Sequence, residues 1–186
     1  CGVCFATISR EAGADGGEVA RRVGECLGWD VYDKNLLDCV AERFCEPRSM
    51  LDLVDETPTN WVFDVLGTWM DRKIIPHEKY VMHVSRVVQS IARRGSAVFV
   101  GRGAQFILPR NRTLAVRIVA PLAYRIDRIM RLRSLAVGDA KRLIAEIDRG
   151  RAEFISRFFR RDIDDPLLYD LEIGRASCRE RGYHPV

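Results

Sequence analysis

The chain of 186 residues, 47% hydrophobic and 30% charged, is long enough for one domain with a sizeable core and has the composition of a globular protein. It contains no run of about 18 apolar residues of the kind a membrane helix needs, and no basic stretch leading into an apolar segment as in a signal peptide. A net charge of +4 is mild and suits an anionic small molecule as well as it suits nucleic acid. The basic residues are spread along the chain with no recognition motif, so neither nucleic acid nor a membrane is an expected partner.

Strands alternate with helices. Val3 to Ser9 (VCFATIS) reads as a buried strand. A helix is expected from Glu18 to Leu27, with Val19, Val23, Cys26 and Leu27 on its apolar face and Gly28 as its stop. WDVY is a short second strand, and Asp33 has the character of an N-cap for a helix from Lys34 to Phe44. Glu46 to Arg94 reads as largely helical, broken by Pro47, Pro58 and Pro76. Ser96 to Gly101 and Leu114 to Ala120 are the third and fourth strands. Pro121 opens a helix to about Arg133, another runs from Val137 to about Arg160, and YDLEI (Tyr169 to Ile173) is the fifth strand. The pattern predicts an α/β fold with a parallel sheet covered on both faces.

The ends break this pattern. The chain begins at Cys1 without a Met, which suggests a truncated start. Gly174 to Val186, including Cys178 and His184, has no apolar period. EIGRASCRER resembles translated sequencing adapter, so this tail is read as non-native and carries no functional assignment. The remaining cysteines are Cys1, Cys4, Cys26, Cys39 and Cys45. Cys1 and Cys4 form a CxxC without a second pair or a histidine at zinc spacing. Cys4, Cys26 and Cys39 are expected as buried thiols, and free cysteines without a leader suggest a cytoplasmic setting.

SREAGADGG, between the first strand and the first helix, has the layout of a phosphate loop. Such a turn offers backbone N–H groups and a helix N-terminus to an anion. Gly13, Gly16 and Gly17 supply backbone freedom at positive φ, and a Val at Gly16 is expected to invade the anion's place. The alternative is a glycine-rich turn without a ligand.

The wider set ATISREAGADGGEVARRVGECLGWDVYDKNLLD, VFVGRGAQFIL, VRIVAPLAYRIDRI, IDRGRAEFI and DDPLLYDLEI resembles the cytidylate kinase-like family, over nearly all of Val3 to Ile173. The resemblance implies a P-loop NTPase-like parallel sheet of about five strands. It also implies a helical acceptor-binding insertion at about 46–95 and a lid region at about 134–162. The implied activity is transfer of the γ-phosphate of ATP or GTP, with Mg²⁺, to CMP or a similar monophosphate. Gly13, Ala14, Asp15, Gly16, Gly17 and Glu18 would hold the donor's phosphates. Yet Gly16 stands where cytidylate kinases place a lysine, and Glu18 where they place a threonine. Arg10 is the nearest replacement cation. Glu11 or Glu18 either holds a metal or, as we favour for Glu18, complements the helix dipole.

By the same resemblance Arg102, in VGRGA, grips the acceptor's phosphate. Arg125 and Arg128 match arginines that act in catalysis, although Arg131 and Arg133 make the same helix basic throughout. Of a lid signature R-D-x-x-D-x-x-R only Asp148 and Arg151 remain. Its first arginine falls at Ile144. Asp148 is expected to orient Arg151 and recognise the acceptor, the alternative being a surface pair at i, i+3. Asp33 is assigned to the acceptor, or to capping alone. Arg157, Arg160 and Arg161 read as a solvated face, Trp61 and Trp69 as core, and His77 and His83 carry no assignment. Two readings follow: an active monophosphate kinase, or a nucleotide-binding regulatory protein with decayed activity.

Overall fold

The computed structural model describes residues 2–33 and 77–174, without the side chains of residues 77–80 and 83. The helix expected at Lys34 to Phe44, the insertion up to Pro76, Cys1, Cys39, Cys45, Trp61, Trp69 and the residues from Arg175 onward lie outside the described residues, as do the side chains of His77 and His83.

In chain order the elements are β1 (Phe5–Arg10), α1 (Gly16–Leu27), β2 (Asp30–Tyr32), α2 (His77–Arg94), β3 (Ala97–Val100) and a short α3 (Ala104–Ile107). They continue with β4 (Thr113–Val119), α4 (Leu122–Arg133), α5 (Val137–Phe159) and β5 (Leu171–Gly174). The strands form one parallel sheet in the order β2-β3-β1-β4-β5. β1 is therefore central, and its C-terminal end opens into the loop of interest.

The pleat sends alternate residues to opposite faces. Phe5, Ala97 and Phe99 pack beneath Val84, Val87 and Val88 of α2. Ala6, Ile8, Val98, Val100, Val116 and Ile118 pack beneath Ala20 of α1. Each large side chain so buried contributes about 1.5–3 kcal/mol. A third cluster, Ala12, Ile129, Ala140 and Ile144, fastens α4 and α5 to the loop.

α1 turns a different face inward from the one its apolar residues suggested. Its buried residues are Gly16, Ala20 and Gly24, spaced at i, i+4 and i+8, so small side chains let the helix lie close on the sheet. Val19 and Val23 flank that stripe, whereas Leu27 is 51% exposed and Cys26 is exposed. Cys26 is thus a surface thiol, and half-buried Cys4 accepts a hydrogen bond from Arg112. Gly28 ends α1 in the left-handed conformation, as its sequence position indicated. β5 is exposed along its length and includes Gly174, paired with Val119, so the sheet continues one residue into the expected tail. No described helix is long and apolar enough to cross a membrane.

Candidate functional site

β1 ends at Arg10 and α1 starts at Gly16, two residues before the expected start at Glu18. Gly13 has positive φ, but Gly16 and Gly17 do not; the left-handed residue next to the helix is Asp15, at φ 56°. Asp15 occupies the N-cap position without capping. Its carboxylate instead accepts from Tyr124 Oη at 2.8 Å and Arg128 Nε at 2.6 Å. The hydrogen bond that Arg128 donates to Asp15 raises the Arg128 pKa above its ordinary value. The N–H groups of a helix's first turn have no intrahelical partners, and the dipole adds positive potential. With no side-chain cap, this end of α1 remains a seat for an anion. Ala14 points its side chain into the core, and its N–H donates to the Glu11 carbonyl at 3.2 Å, closing the turn. Glu18 leans along the helix to Arg21 and Arg22, whose hydrogen bonds draw its carboxyl down to about 2.

Gly16 is small because Arg10 lies across it. A Cβ at Gly16 would come within 2.5 Å of Arg10 Cβ and 2.7 Å of Arg10 Cγ. The same would happen at the far end of the side chain, where a Cβ on Gly101 would strike the Arg10 guanidinium. Arg10 thus runs from the end of β1, over the first residue of α1, to the turn after β3. A side chain at Gly16 would displace Arg10 first, contrary to the expectation that it would invade an anion's place.

Arg102 and Arg151 bring further charge to the same region. Burial, then Arg151 and Arg102, pull the Arg10 pKa down to about 9, with Asp33 opposing. Arg151 is lowered by burial and by Arg102 and Arg125, against Asp148. Its guanidinium donates to the Arg10 carbonyl at 2.8 Å. Cations from β1, the β3–α3 turn and α5 therefore converge at the C-terminal edge of the sheet, where open α/β folds bind ligands.

Asp148, Arg125 and Arg128 are placed behind the loop. Asp148 Oδ1 accepts from the Ala12 N–H at 2.7 Å, and its Oδ2 from Arg125 at 2.5 Å. Arg125 also lies 3.5 Å from Glu11, and its carbonyl oxygen would stand 2.8 Å from a Cβ on Gly13. Glu11 in turn accepts from the Ala120 N–H at 2.9 Å. These contacts engage Asp148, Arg125 and Arg128 in holding the loop, and Asp148 Oδ1 also lies 3.5 Å from Arg151 Nη1, the ion pair expected of these two residues. Ile144, where a lid arginine was expected, is 3% exposed and belongs to the cluster that binds α5 to Ala12.

A profile of the cytidylate kinase-like family matches residues 6–176. The chain belongs to the cytidylate kinase-like family. No curated protein sequence matches it. Among solved structures it is similar to an uncharacterized protein from Eubacterium ventriosum, at TM-score 0.70 and 20% identity, covering 91% of this chain and 86% of that one. It is also similar to a shikimate kinase from Bacteroides thetaiotaomicron, at TM-score 0.51 and 14% identity over 91% and 85% of the two chains. A Thermus thermophilus protein matches at TM-score 0.52 and 16% identity, over 96% and 91%. The fold is the α/β fold of P-loop kinases, and the family is kinase-like.

In this cytidylate kinase-like chain the carboxylates near the loop are each held by neighbouring groups. Glu18 is engaged by Arg21 and Arg22, Glu11 by Ala120 and Arg125, and Asp15 by Tyr124 and Arg128. Among the described residues no group of three or more His, Cys, Asp or Glu side chains has a metal-binding arrangement. Tyr124 was missed from sequence; its i, i+4 spacing to Arg128 was the available signal. A signal also marked Asp148 and Arg151, which interrupt an otherwise apolar stripe of Ala140, Ile144 and Ile155 on α5.

Proposed function

We propose that the chain is a nucleoside monophosphate kinase-like phosphotransferase that moves the γ-phosphate of ATP or GTP to CMP or a similar monophosphate. The convergence of Arg10, Arg102 and Arg151 beside an uncapped helix N-terminus carries this reading. Like charges gathered in a partly desolvated place repel one another, and an incoming polyanion relieves that repulsion.

In this reading the donor's phosphates lie against the backbone of Gly13 to Glu18. Arg10 supplies from β1 the cation that cytidylate kinases supply from a loop lysine. Arg102 and Asp33 serve the acceptor, and Arg151 serves the transferring group. An oxygen of the acceptor's phosphate, already anionic, forms the new bond to the γ-phosphorus. The bond from that phosphorus to the β–γ bridging oxygen breaks, and the nucleoside diphosphate leaves. No general base is needed, so the task is alignment and charge stabilisation. Asp148, Arg125 and Arg128 hold the loop in place for this. The donor would carry Mg²⁺ on its phosphates, where the ion would neutralise part of their charge, and none of the described residues is assigned to hold it.

The test is a kinase assay of the protein against a panel of monophosphates with ATP and GTP, alongside calorimetric titration of each nucleotide. Turnover of CMP or another monophosphate supports the reading. Binding without turnover by any pair supports the second reading, a regulatory nucleotide-binding protein, which Gly16, Glu18 and Ile144 at the positions of the lysine, threonine and arginine of ordinary cytidylate kinases favour.

A further inference from the structure

Arg102 occupies an unusual place even for a binding residue. It follows β3 in a left-handed backbone conformation, φ 55°, between Gly101 and Gly103. Non-glycine residues adopt that conformation infrequently, and here it sets the direction in which the side chain leaves the turn. The guanidinium then lies over the ring of Phe154, 5.5 Å from its centroid.

Phe154 is part of a built support. It lies 5.0 Å from Phe158 and 6.1 Å from Phe159, centroid to centroid. Phe159 stacks on Phe106 of α3 at 4.8 Å and 29°. A Cβ on Gly103 would strike the Phe159 ring, so the glycine after Arg102 admits the buttress as the glycine before it admits Arg10. Phe106, Phe154 and Phe159 are each half-buried, whereas the aromatic anchor of the sheet, Phe99, is 0% exposed. Phe154 follows Arg151 by three residues, which places them on one face of α5.

We propose that Phe154 is a positioning residue: its ring, braced through Phe159 and Phe106, fixes the Arg102 guanidinium for the acceptor's anion. α5 thereby sets two of the site's three cations, Arg151 directly and Arg102 through the ring. The inference rests on the phosphotransfer reading for the identity of the anion, but not for the ring–guanidinium contact. The free energy of a cation held over a partly desolvated ring is equivalent to a factor of about 2–30, which bounds what pre-positioning Arg102 can add to the acceptor's affinity. The predicted consequence falls on the acceptor and spares the donor.

Two measurements on the full chain test it. The first needs no ligand. The Arg102 Nε–H signal in a ¹⁵N spectrum, assigned by its loss in Arg102→Ala, should be displaced by the ring current, move in Phe154→Leu and stay in Phe154→Tyr. A signal unmoved by Phe154→Leu overturns the proposal. The second titrates CMP and ATP separately. Phe154→Leu should weaken CMP about fivefold, leave ATP unchanged, and add nothing in an Arg102→Ala background, while Phe154→Tyr restores CMP binding. Equal loss of both nucleotides, or additive effects in the double variant, would mark Phe154 as filler. Should Phe154→Leu fold poorly, Phe154→Met replaces it in both measurements. If the unaltered protein binds neither CMP nor inorganic phosphate, the phosphotransfer reading fails, and the ligand-free spectrum alone decides whether the ring holds Arg102.

Discussion

If Gly16 is a glycine because Arg10 crosses it, Gly16→Ala should destabilise the fold only while Arg10 is present. The added Cβ would stand 2.5 Å and 2.7 Å from Arg10 Cβ and Cγ, about 1 Å inside the usual 3.5–4.0 Å carbon separation. Arg10 cannot simply slide away, since its far end abuts Gly101. Overpacking of this kind costs about 1–3 kcal/mol. For a chain of this length each kcal/mol lowers the melting temperature by about 2–4 °C, so Gly16→Ala should melt about 2–12 °C lower. In an Arg10→Gly background both clashing carbons are gone. Gly16 has no positive φ, so alanine is then close to neutral. The double-mutant cycle should therefore give a coupling of about 1–3 kcal/mol, read from thermal or urea unfolding of the four proteins. A melting temperature unchanged in Gly16→Ala, or a coupling near zero, would refute the account of the missing loop lysine.

Arg102→Ala should weaken CMP far more than ATP in separate titrations; equal losses, or none, would remove Arg102 from the acceptor site. The Arg10 pKa is lowered to about 9 in the free protein, and a bound anion raises it again. Binding of ATP should then take up a proton just above pH 9, and affinity should fall as pH rises through that point. Calorimetry in buffers of different ionisation enthalpy detects the uptake, and Arg10→Gly should abolish both effects. Ile144→Arg, which restores the residue type of the ordinary lid signature, should cost about 3 kcal/mol or more because it buries an unpaired charge among Ala12, Ile129 and Ala140. Unfolding as late as the unaltered protein's would show that α5 can lift from the loop.

The order and type of the described strands and long helices were legible because strand and helix periods differ, and because Gly28 and Pro121 stand at element ends, whereas the short helix Ala104–Ile107 was not foreseen. The inward face of α1 was not. Hydrophobicity pointed to Val19, Val23, Cys26 and Leu27, but close approach to the sheet selected Gly16, Ala20 and Gly24. The arginines of the site were visible as residues, and their division of labour was not. Nothing in the spacing of Arg125 and Arg128 tells that one meets Asp148 and the other Asp15. Those partners are separated by 23 and 113 positions and meet only when α4 and α5 close over the loop. The link between Arg10 and Gly16 was hidden for a related reason: the absence of a side chain carries no local signal until its neighbour is known.

α5 acts as a ruler. Ala140, Ile144 and Ile155 are its buried residues, and Asp148, Arg151 and Phe154 are spaced along the same continuous helix. Each residue advances the helix by about 1.5 Å and turns it by about 100°. One residue inserted after Glu146 would swing all three functional side chains away from the loop while leaving Ala140 and Ile144 seated. One residue deleted there would swing them the other way. This stretch should therefore tolerate exchange of its exposed residues freely and a change of length hardly at all.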